Sequence, residues 1–214
     1  MGRSLHLILS SLPPVMSFLG RGVSVGIFSR DDESCYQWLA GYLSTIRHVQ
    51  SIYSVYVSEK SLVSFREDAR RCSFAILYHT KKRGRINITD VTDSLYDEEL
   101  KYLSSTKGKE NVMVVIDDLE DEGDNRHRIR ILQNQPSLQR LTSEVICFTL
   151  EDKKILTRNY PAPETEAKLR RIEKMIEEQA WRRKRPQKLI GWLILIVLGS
   201  IALWKLQNML APKE

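Results

Sequence analysis

The sequence predicts an α/β fold: a doubly wound, five-stranded parallel sheet of the flavodoxin-like type, followed by a helical stalk and a single C-terminal transmembrane helix. Short apolar segments rich in β-forming residues alternate with amphipathic helical segments between residues 23 and 149. Several short segments lack polar alternation, which is typical of parallel strands covered on both faces. The run LIGWLILIVLGSIALW, residues 189–204, contains no charged residue. These features divide the chain into a leader (1–22), an α/β domain (23–160), a charged stalk (161–188), a membrane anchor (189–206) and a short tail (207–214).

The first strand and the first helix carry clear patterns. Residues 23–29 (VSVGIFS) are rich in β-forming side chains and predict a strand. Residues 31–47 predict a helix, because apolar residues recur at i, i+3, i+4, i+7, i+8 and i+11 on one face. Asp31, Asp32 and Glu33 then lie in its first turn, where the helix dipole favours acidic side chains. The apolar face consists of Cys35, Trp38, Leu39, Tyr42, Leu43 and Ile46.

Two further strands flank the second helix. Residues 49–57 predict a strand, and residues 61–71 predict a helix that starts behind Ser58 as its N-cap. Residues 73–79 (SFAILYH) predict a fully buried third strand. The residues of the second helix that we expect to point inward are Leu62, Phe65 and Ala69.

The second half of the domain repeats this alternation. We expect an interruption of its last helix near Pro136, because proline lacks the N–H group that a helix interior needs. Right-handed crossovers would join the strands. The inward residues of the helix before the fourth strand are Leu95, Leu100 and Leu103. The predicted elements are a polar loop (80–91), a helix (92–105), a strand (111–116), a helix (124–141) and a strand (144–149).

The stalk begins where Pro161 and Pro163 mark the end of the domain. Residues 164–185 are densely charged and predict a helix, which is either a solvated single helix or a two-heptad coiled coil. The coiled coil would give a weak homo-oligomer. The apolar side of this helix consists of Leu169, Ile172, Met175 and Ile176.

The apolar run at residues 189–204 predicts a membrane anchor. Trp192 and Trp204 bracket it as interfacial aromatic residues do. Only ten residues follow it, so we expect post-translational insertion as a tail anchor. The positive-inside rule places the large N-terminal part in the cytosol. The basic cluster before the run consists of Arg182, Arg183, Lys184, Arg185 and Lys188.

The length of this run leaves two questions open. Sixteen residues at about 1.5 Å each span roughly 24 Å, less than a hydrocarbon core of about 30 Å. A buried core helix is therefore the alternative to an anchor. A short span suits the thin bilayer of the endoplasmic reticulum, and the mitochondrial outer membrane fits equally well.

Composition limits the partners and the compartment. The net charge of +6 comes largely from the segment before the anchor, which predicts contact with anionic lipid headgroups rather than nucleic acid. Cys35, Cys72 and Cys147 lie far apart in apolar stretches, as reduced cytosolic thiols do. Their spacing does not predict a zinc site. The leader predicts a loosely ordered segment, with a cleaved signal peptide as the alternative.

Candidate site residues follow from the fold class. In a doubly wound sheet, ligands bind outside the carboxyl ends of the strands where the strand order reverses. Ser29, Arg30 and Asp31 end the first strand, His79 the third, and Asp117 the fourth. An acidic loop then continues from Asp118 through Glu120, Asp121, Glu122 and Asp124. This loop predicts either a divalent-metal or phosphoryl site or a solvated loop attracted to the basic residues 81–85, and we expect the second, with no metal or cofactor.

Several motifs of well-known enzymes are absent from the sequence or out of place in it. No G-x-x-x-x-G-K-[ST] follows the first strand, which excludes a P-loop nucleotide site. Gly22 to Gly26 match G-x-S-x-G, but Ser24 falls inside a strand rather than at a strand-to-helix turn. The third strand ends in His79 and Thr80, where a response regulator needs aspartate.

One segment resembles a known family. Behind the third strand the chain reads Leu95-Tyr96-Asp97-Glu98-Glu99-Leu100. With the order of strands and helices and the acidic residues after the first strand, this is similar to TIR domains over roughly residues 23–150. In that family a W-C-x-x-E-L-like helix carries the glutamate of NAD-cleaving members, so the resemblance implies Glu99 for that role. Leu95 and Tyr96 replace the Trp-Cys pair, and no R-D-x-x-P-G loop occurs between residues 57 and 73.

Two functional hypotheses follow. In the first, the cytosolic domain is a non-enzymatic scaffold or signalling adaptor that recruits unidentified cytosolic proteins to an organelle surface. In the second, the domain is a nucleotide-processing enzyme that cleaves NAD, with Glu99 as catalytic carboxylate and Ser29, Arg30 and His79 lining the cleft. Convergence of Ser29, His79 and Glu99 on one pocket would favour the enzyme, and dispersal would favour the scaffold.

Overall fold

The computed structural model describes residues 22–58, 62–120, 126–156 and 162–183. The predicted anchor, the tail and all but the last residue of the predicted leader lie outside these residues. The strands are β1 (Val23–Ser29), β2 (Val49–Tyr56), β3 (Phe74–Thr80), β4 (Val112–Leu119) and β5 (Glu144–Thr149). The helices are α1 (Gln37–Thr45), α2 (Leu62–Arg71), α3 (Asp97–Lys107), α4 (Arg126–Asn134), α5 (Ser137–Leu141), α6 (Leu150–Leu156) and α7 (163–183).

The five strands form one parallel sheet in the order β2-β1-β3-β4-β5. The chain runs from β1 outward to β2 and then crosses back to β3, so the strand order reverses between β1 and β3. The predicted α/β class with a five-stranded parallel sheet is confirmed, and the strand order is consistent with the flavodoxin-like arrangement. The gap between β1 and β3 is the switch point at which such sheets place their ligands.

The sheet is covered on both faces and has two cores. The first core packs under α2 and α3 and includes Phe65 and Leu100. The second packs under α1 and α7 and includes Leu39 and Ile172. All seven residues of β3 are buried, as expected for a central strand with successive side chains on opposite faces. The central strands lack polar alternation in the sequence because both of their faces are buried, one in each core.

The last helix, α7, is part of the folded domain. The sequence predicts a helical stalk here with one apolar side, and the helix and its apolar side are both present. Ile172 and Ile176 of that side are fully buried because they cover the second core. Residues 163–183 therefore form a layer on the sheet, which differs from the free-standing stalk that the dense charge suggests.

A buried ion pair fastens the start of α7. Lys168 Nζ lies 2.8 Å from Asp152 Oδ2, and both side chains are almost fully buried. Thr165 Oγ1 donates to Asp152 Oδ1, and the backbone N–H of Thr149 donates to Asp152 Oδ2. Burial opposes the charge on Asp152, but the hydrogen bonds from Lys168, Thr149 and Thr165 outweigh it and lower the pKa of this carboxyl.

The first helix starts later than the sequence predicts. Residues Glu33–Cys35 form a 3-10 turn, and α1 begins at Gln37. Asp31, Asp32 and Glu33 therefore all lie outside the first turn of α1, which corrects the prediction. Asp32 Oδ1 instead accepts from the N–H of Ser34 at 2.9 Å and caps the 3-10 turn. Local side-chain bonds of this kind compete with helix formation.

The helix before β4 also starts later than predicted, at Asp97 rather than residue 92. Asp90 and Asp93 adopt positive φ values of 62° and 60°, which a right-handed helix does not allow. The N–H of Leu95 donates to Asn87 O at 2.9 Å, so this residue is tied to the preceding loop. Leu95 consequently packs against the first core from the loop.

Two smaller predictions, for Ser24 and Pro136, are confirmed, and one, for Leu62, is wrong. Ser24 lies within β1 as predicted, and its Oγ donates to Arg71 O at 3.3 Å. Pro136 separates α4 from α5, which confirms the predicted interruption. Leu62 is 46% exposed, so its predicted inward orientation is wrong; it is the first residue of α2, and burial on this face begins one turn later at Phe65.

The three cysteines are free thiols. Cys72 and Cys147 are buried and Cys35 is partly buried, in line with the interpretation from their apolar sequence context. Burial raises the pKa of Cys72. Within the described ranges, no helix is long and apolar enough to cross a membrane, and residues 189–204 are not among them.

Candidate functional site

The carboxyl ends of β1, β3 and β4 bring most of the predicted site residues to one edge of the sheet. We call this the switch-point edge. Ser29 ends β1, His79 and Thr80 end β3, and Asp117 and Asp118 lie near the end of β4. All five of these polar residues are almost fully buried. Thr80 N, at the centre, donates to Asp31 Oδ2 at 3.1 Å and joins the loops after β1 and β3.

Tyr96 organises the face of this edge that covers the first core. Its hydroxyl accepts from the N–H of Arg30 at 3.0 Å, and its ring lies edge-on to the ring of His79 with centroids 6.0 Å apart. The guanidinium of Arg30 lies 5.6 Å from the centre of the Tyr96 ring. Burial raises the pKa of Tyr96 to about 12. The phenol is therefore neutral at physiological pH and positions Arg30.

Glu99 is paired with Arg30. Arg30 Nη2 lies 3.4 Å from Glu99 Oε1, and the side chains are only 12% and 7% exposed. Glu99 lies in the first turn of α3, where the helix dipole also favours a negative charge. A catalytic carboxylate at this position would have to leave both the guanidinium and its buried surroundings to reach a substrate. Breaking a buried pair by removing one partner costs about 3–5 kcal/mol.

His79 is fully buried beside Tyr96. Its Nε2 lies 3.0 Å from Arg85 O, a contact that requires Nε2 to carry the proton. Burial lowers the pKa of His79 against the opposing effect of the Arg85 carbonyl. The ring is therefore neutral at pH 7 and its Nδ1, an acceptor in this tautomer, has no hydrogen-bond partner. An unsatisfied buried acceptor of this kind lowers the stability of the fold. His79 is therefore better described as a packing residue than as a catalytic one.

Asp117 lies on the opposite face of the sheet. Its Oδ2 accepts from Trp38 Nε1 at 3.0 Å and from the hydroxyl of Tyr78. Lys153 Nζ of α6 lies 3.0 Å from the same oxygen. Burial raises the pKa of Asp117 despite these donors. Burial opposes the charge on Lys153, but the nearby carboxylates outweigh it and raise the lysine pKa.

Asp118 completes this network from a strained backbone position. Its φ is 58°, and the register between β4 and β5 shifts between Ile116 and Leu119, which is the pattern of a β-bulge. The side chain accepts from Thr80 Oγ1 at 2.6 Å and lies 3.0 Å from Lys153 Nζ. Burial opposes the charge, but the hydrogen bonds from Thr80 and Lys153 and the charge of Lys82 lower the pKa of Asp118.

Asp31 closes the edge between the two faces. Its Oδ1 lies 2.8 Å from Arg83 Nε, and Arg83 Nη2 also donates to Arg30 O at 2.8 Å. Ser29 Oγ donates to Asp31 Oδ2 at 3.2 Å and to Tyr78 O at 3.0 Å. The basic loop after β3 thus neutralises the acidic residue after β1. The predicted attraction between acidic residues near β4 and residues 81–85 also has a counterpart, since Lys82 Nζ lies 3.7 Å from Asp118 Oδ2.

The predicted site residues divide between the two faces of the sheet. His79 pairs in register with Ile116, a residue of the first core, and Glu99 lies on the same side through Tyr96 and Arg30. Asp117 bonds to Tyr78, a residue of the second core. Because successive side chains of a strand alternate between faces, the sheet separates His79 and Glu99 from Asp117. The edge is therefore two internally bonded networks joined at Asp31.

The acidic residues within the described ranges do not cluster as metal ligands. Among the described residues, no three His, Cys, Asp or Glu side chains lie close enough to hold a metal ion. Residues 121–125 of the acidic loop lie outside them. The membrane-surface cluster is likewise described only at Arg182 and Arg183, whose side chains contact Glu110 O and Gly22 O. Lys184, Arg185 and Lys188 lie outside the described residues.

The sequence does not predict a site role for three residues of these networks, which are Lys153, Trp38 and Tyr96. Lys153 lies in α6, a short helix that the sequence pattern does not predict. Trp38 was assigned to the core, although its indole N–H reaches Asp117. Tyr96 was noted only as a departure from the TIR motif. A run of apolar spacing gives no signal for an indole or phenol with a polar bond at its far end.

Comparisons with known proteins add no further constraint. The chain matches none of the protein-family models against which it was compared, and its sequence matches no curated protein.

Proposed function

We propose that the chain is a tail-anchored membrane protein whose cytosolic α/β domain is a non-enzymatic scaffold or adaptor at an organelle surface, of the endoplasmic reticulum or the mitochondrial outer membrane. The observation that supports the non-enzymatic part is that Glu99 and His79, the central residues of the enzyme hypothesis, are buried and bonded within the fold: Glu99 is paired with Arg30, and His79 Nε2 bonds to Arg85 O. A reaction centre needs its acid, base and binding groups around one substrate position. Here the fully buried ring of Tyr96 packs against both His79 and Arg30, and Arg30 is paired with Glu99.

The charge pairing supports the same proposal. Each of Asp31, Glu99, Asp117 and Asp118 lies within 3.4 Å of an arginine or lysine of the same chain. A carboxylate held in this way stabilises a particular arrangement of loops. The loops after β1 and β3 are thereby fixed in place, which gives a partner protein a rigid surface to recognise.

Exposed apolar side chains near β2 provide a candidate partner surface. Tyr56 at the end of β2 is 67% exposed, and Leu62 and Val63 at the start of α2 are 46% and 69% exposed. Exposed apolar patches mark protein interaction sites, and tyrosine is enriched among the residues that carry their binding energy. Tyr56 pairs in register with Ser29, so it lies beside the switch-point edge.

Partner recruitment can be tested by proximity labelling in cells with the full chain. Tyr56→Asp combined with Val63→Asp should remove the labelled partners and leave membrane localisation unchanged, because both side chains are exposed. Ile129→Asp is the matched control, since Ile129 is 49% exposed on α4. Loss of the same partners in the control, or an unchanged set in the double variant, would contradict this surface.

The NAD-cleaving alternative has its own test. We expect the purified full chain in detergent to leave NAD intact. Consumption of NAD by the wild type that disappears in Glu99→Gln, with the melting temperature unchanged, would replace the scaffold proposal with the enzyme. The amide keeps an acceptor for Arg30, so the variant separates loss of chemistry from loss of folding.

A further inference from the structure

We propose that the edge of the sheet at which the strands begin is a membrane-docking surface for anionic phospholipid headgroups, so that the switch-point edge faces the cytosol. This inference rests on the proposed tail anchor and adds to it which side of the domain meets the bilayer. We call the surface the strand-start edge. It contains the residues that precede each strand and the end of α7.

Helix α7 runs from one edge of the sheet to the other. The helix starts at the switch-point edge, where Thr165 and Lys168 bond to Asp152 after β5. It ends at the opposite edge, where Gln179 Nε2 donates to Ser73 O, directly before β3, at 3.2 Å. Twenty-one residues at about 1.5 Å each make α7 roughly 30 Å long. It therefore runs antiparallel to the strands and spans the whole sheet.

Two arginines among the last described residues of α7 contact the same edge of the sheet. Arg182 Nη2 lies 3.3 Å from Glu110 O, in the turn before β4. Arg183 Nη1 lies 3.5 Å from Gly22 O, directly before β1. The last described turn of α7 is thus bonded to the starts of three strands, and residue 183 lies at the strand-start edge.

The distance to the apolar run is short. Only Lys184, Arg185, Pro186, Gln187 and Lys188 separate Arg183 from residue 189. The six residue steps from Arg183 to residue 189 span at most about 22 Å even when fully extended. If residues 189–204 are inserted in a bilayer, the position of Arg183 at the strand-start edge lies within that distance of the membrane surface in any conformation of the connecting residues. The switch-point edge, about 30 Å away along α7, lies on the cytosolic side.

The charge of the strand-start edge matches an anionic surface. The segments that form it contain eight lysine and arginine residues and one acidic residue, Glu110. The switch-point edge, in contrast, carries nearly balanced charge in its buried ion pairs. Trp181 is 57% exposed at the same end of α7, and tryptophan is enriched at the membrane–water interface. The segments are residues 45–48, 70–73, 106–111, 140–143 and 180–183.

The position of the domain can be measured by energy transfer from a dye to acceptor lipids in vesicles that contain the full chain. In a Cys35→Ser background, one protein carries the dye at Thr106→Cys on the strand-start edge, and another carries it at Ser34→Cys on the switch-point edge. Both residues are exposed, and the two remaining cysteines are buried. With phosphatidylserine in phosphatidylcholine vesicles, we expect several-fold stronger transfer from position 106 than from position 34.

Charge variants test the role of the headgroups. Arg70→Glu, Arg71→Glu and Lys109→Glu together should abolish the difference between vesicles with and without phosphatidylserine, because each basic side chain near an anionic surface is worth about fivefold in affinity. Arg85→Glu, Lys101→Glu and Lys174→Glu make the same charge change at exposed residues elsewhere and should leave the transfer unchanged. Raising the salt concentration should act like the first triple variant.

The outcomes separate this inference from the anchor itself. A chain that does not float with the vesicles contradicts the anchor, and with it both proposals. A chain that floats but shows equal transfer from positions 34 and 106 leaves the anchor intact and overturns the docking surface. A difference between the two positions that does not depend on phosphatidylserine overturns the role of anionic headgroups.

Discussion

At the scale of single residues, the core prediction that follows most directly concerns Leu39. Its side chain is fully buried in the second core, under α1. Leu39→Ala should lower the free energy of unfolding by about 2–5 kcal/mol, because the lost contacts leave a cavity between α1 and the sheet. Gln37→Ala, at an exposed position of the same helix, is the control and should change it little. Denaturant unfolding of both variants measures the difference, and equal stability would show that α1 is rotated from the observed register.

His79 makes a second prediction, about the pH dependence of stability. Burial lowers its pKa in the folded protein, whereas the unfolded chain has the ordinary value of 6.5. The stabilising contribution of the neutral ring is therefore present above pH 6.5 and is lost as the pH falls from there toward the folded pKa. Asp31 partly opposes this shift, and Arg83 reinforces it.

The loss should appear as a slope of up to about 1.4 kcal/mol per pH unit in the free energy of unfolding below pH 6.5. His79→Gln should flatten that slope, because glutamine does not titrate. Denaturant unfolding at a series of pH values provides the measurement. An identical slope in the variant would mean that His79 is accessible to protons in the folded state.

At the scale of an element, the Asp152–Lys168 pair decides whether α7 stays docked. Asp152→Asn leaves the buried ammonium of Lys168 without its charge partner and should cost about 3–5 kcal/mol. Lys168→Met combined with Asp152→Asn should cost less than the sum of the two single changes, because no uncompensated charge remains. Hydrogen exchange of residues 163–183 should rise first in the single variants. Additive costs would show that the two side chains do not interact.

The Asp152–Lys168 pair loses its stabilising contribution at a lower pH than His79 does. The pKa of Asp152 is lowered from its ordinary value of 3.8, so its contribution is present above pH 3.8 and is lost as the pH falls through the folded pKa. Undocking of α7 should therefore follow acidification well below the range in which His79 titrates.

The elements also show what the sequence could predict. Strand β1 and strand β5 have the predicted limits, because runs such as VSVGIFS and EVICFT differ sharply in composition from their neighbours. The starts of α1 and α3 were wrong by several residues. In both cases an acidic residue near the start, Asp32 or Asp97, bonds to a backbone or side-chain group of a loop. Such bonds depend on three-dimensional neighbours that periodicity does not contain.

The sequence predicts where the candidate site lies, but not which face each side chain takes or which charges are paired. The rule that strand ends meet at a switch point located Ser29, Asp31, His79 and Asp117 correctly on one edge. Which face each side chain takes follows from the pairing of β3 with β4, for example His79 with Ile116. The pairing of each carboxylate with a cation depends on contacts such as Lys153 with Asp117, 36 residues apart in the chain, so no local pattern reveals it.

At the scale of the whole molecule, the anchor hypothesis makes the broadest prediction. Deleting residues 189–214 should release the protein from membranes, and protease added to intact organelles should remove the domain from the full chain while leaving a small protected fragment. Cell fractionation and protease protection with an antibody against each end provide the readout. Asn87-Ile88-Thr89 matches the sequon for N-glycosylation. Protection of the entire chain, or a glycan on Asn87, would contradict a cytosolic domain. Asn87→Gln is the control for the glycan.

The docking of α7 also sets the order in which the protein can fold during synthesis. Its contacts reach back to residues made much earlier, as in the bond from Arg183 to Gly22 across 161 positions. Contacts so distant in the chain close late. Until residues 163–183 have been made, the second core lacks one of its two helical covers, and a ribosome-bound intermediate exposes apolar strand surface. Completion of the domain and synthesis of the apolar run that follows it are therefore nearly simultaneous, and a chaperone that shields one would meet the other at the same moment.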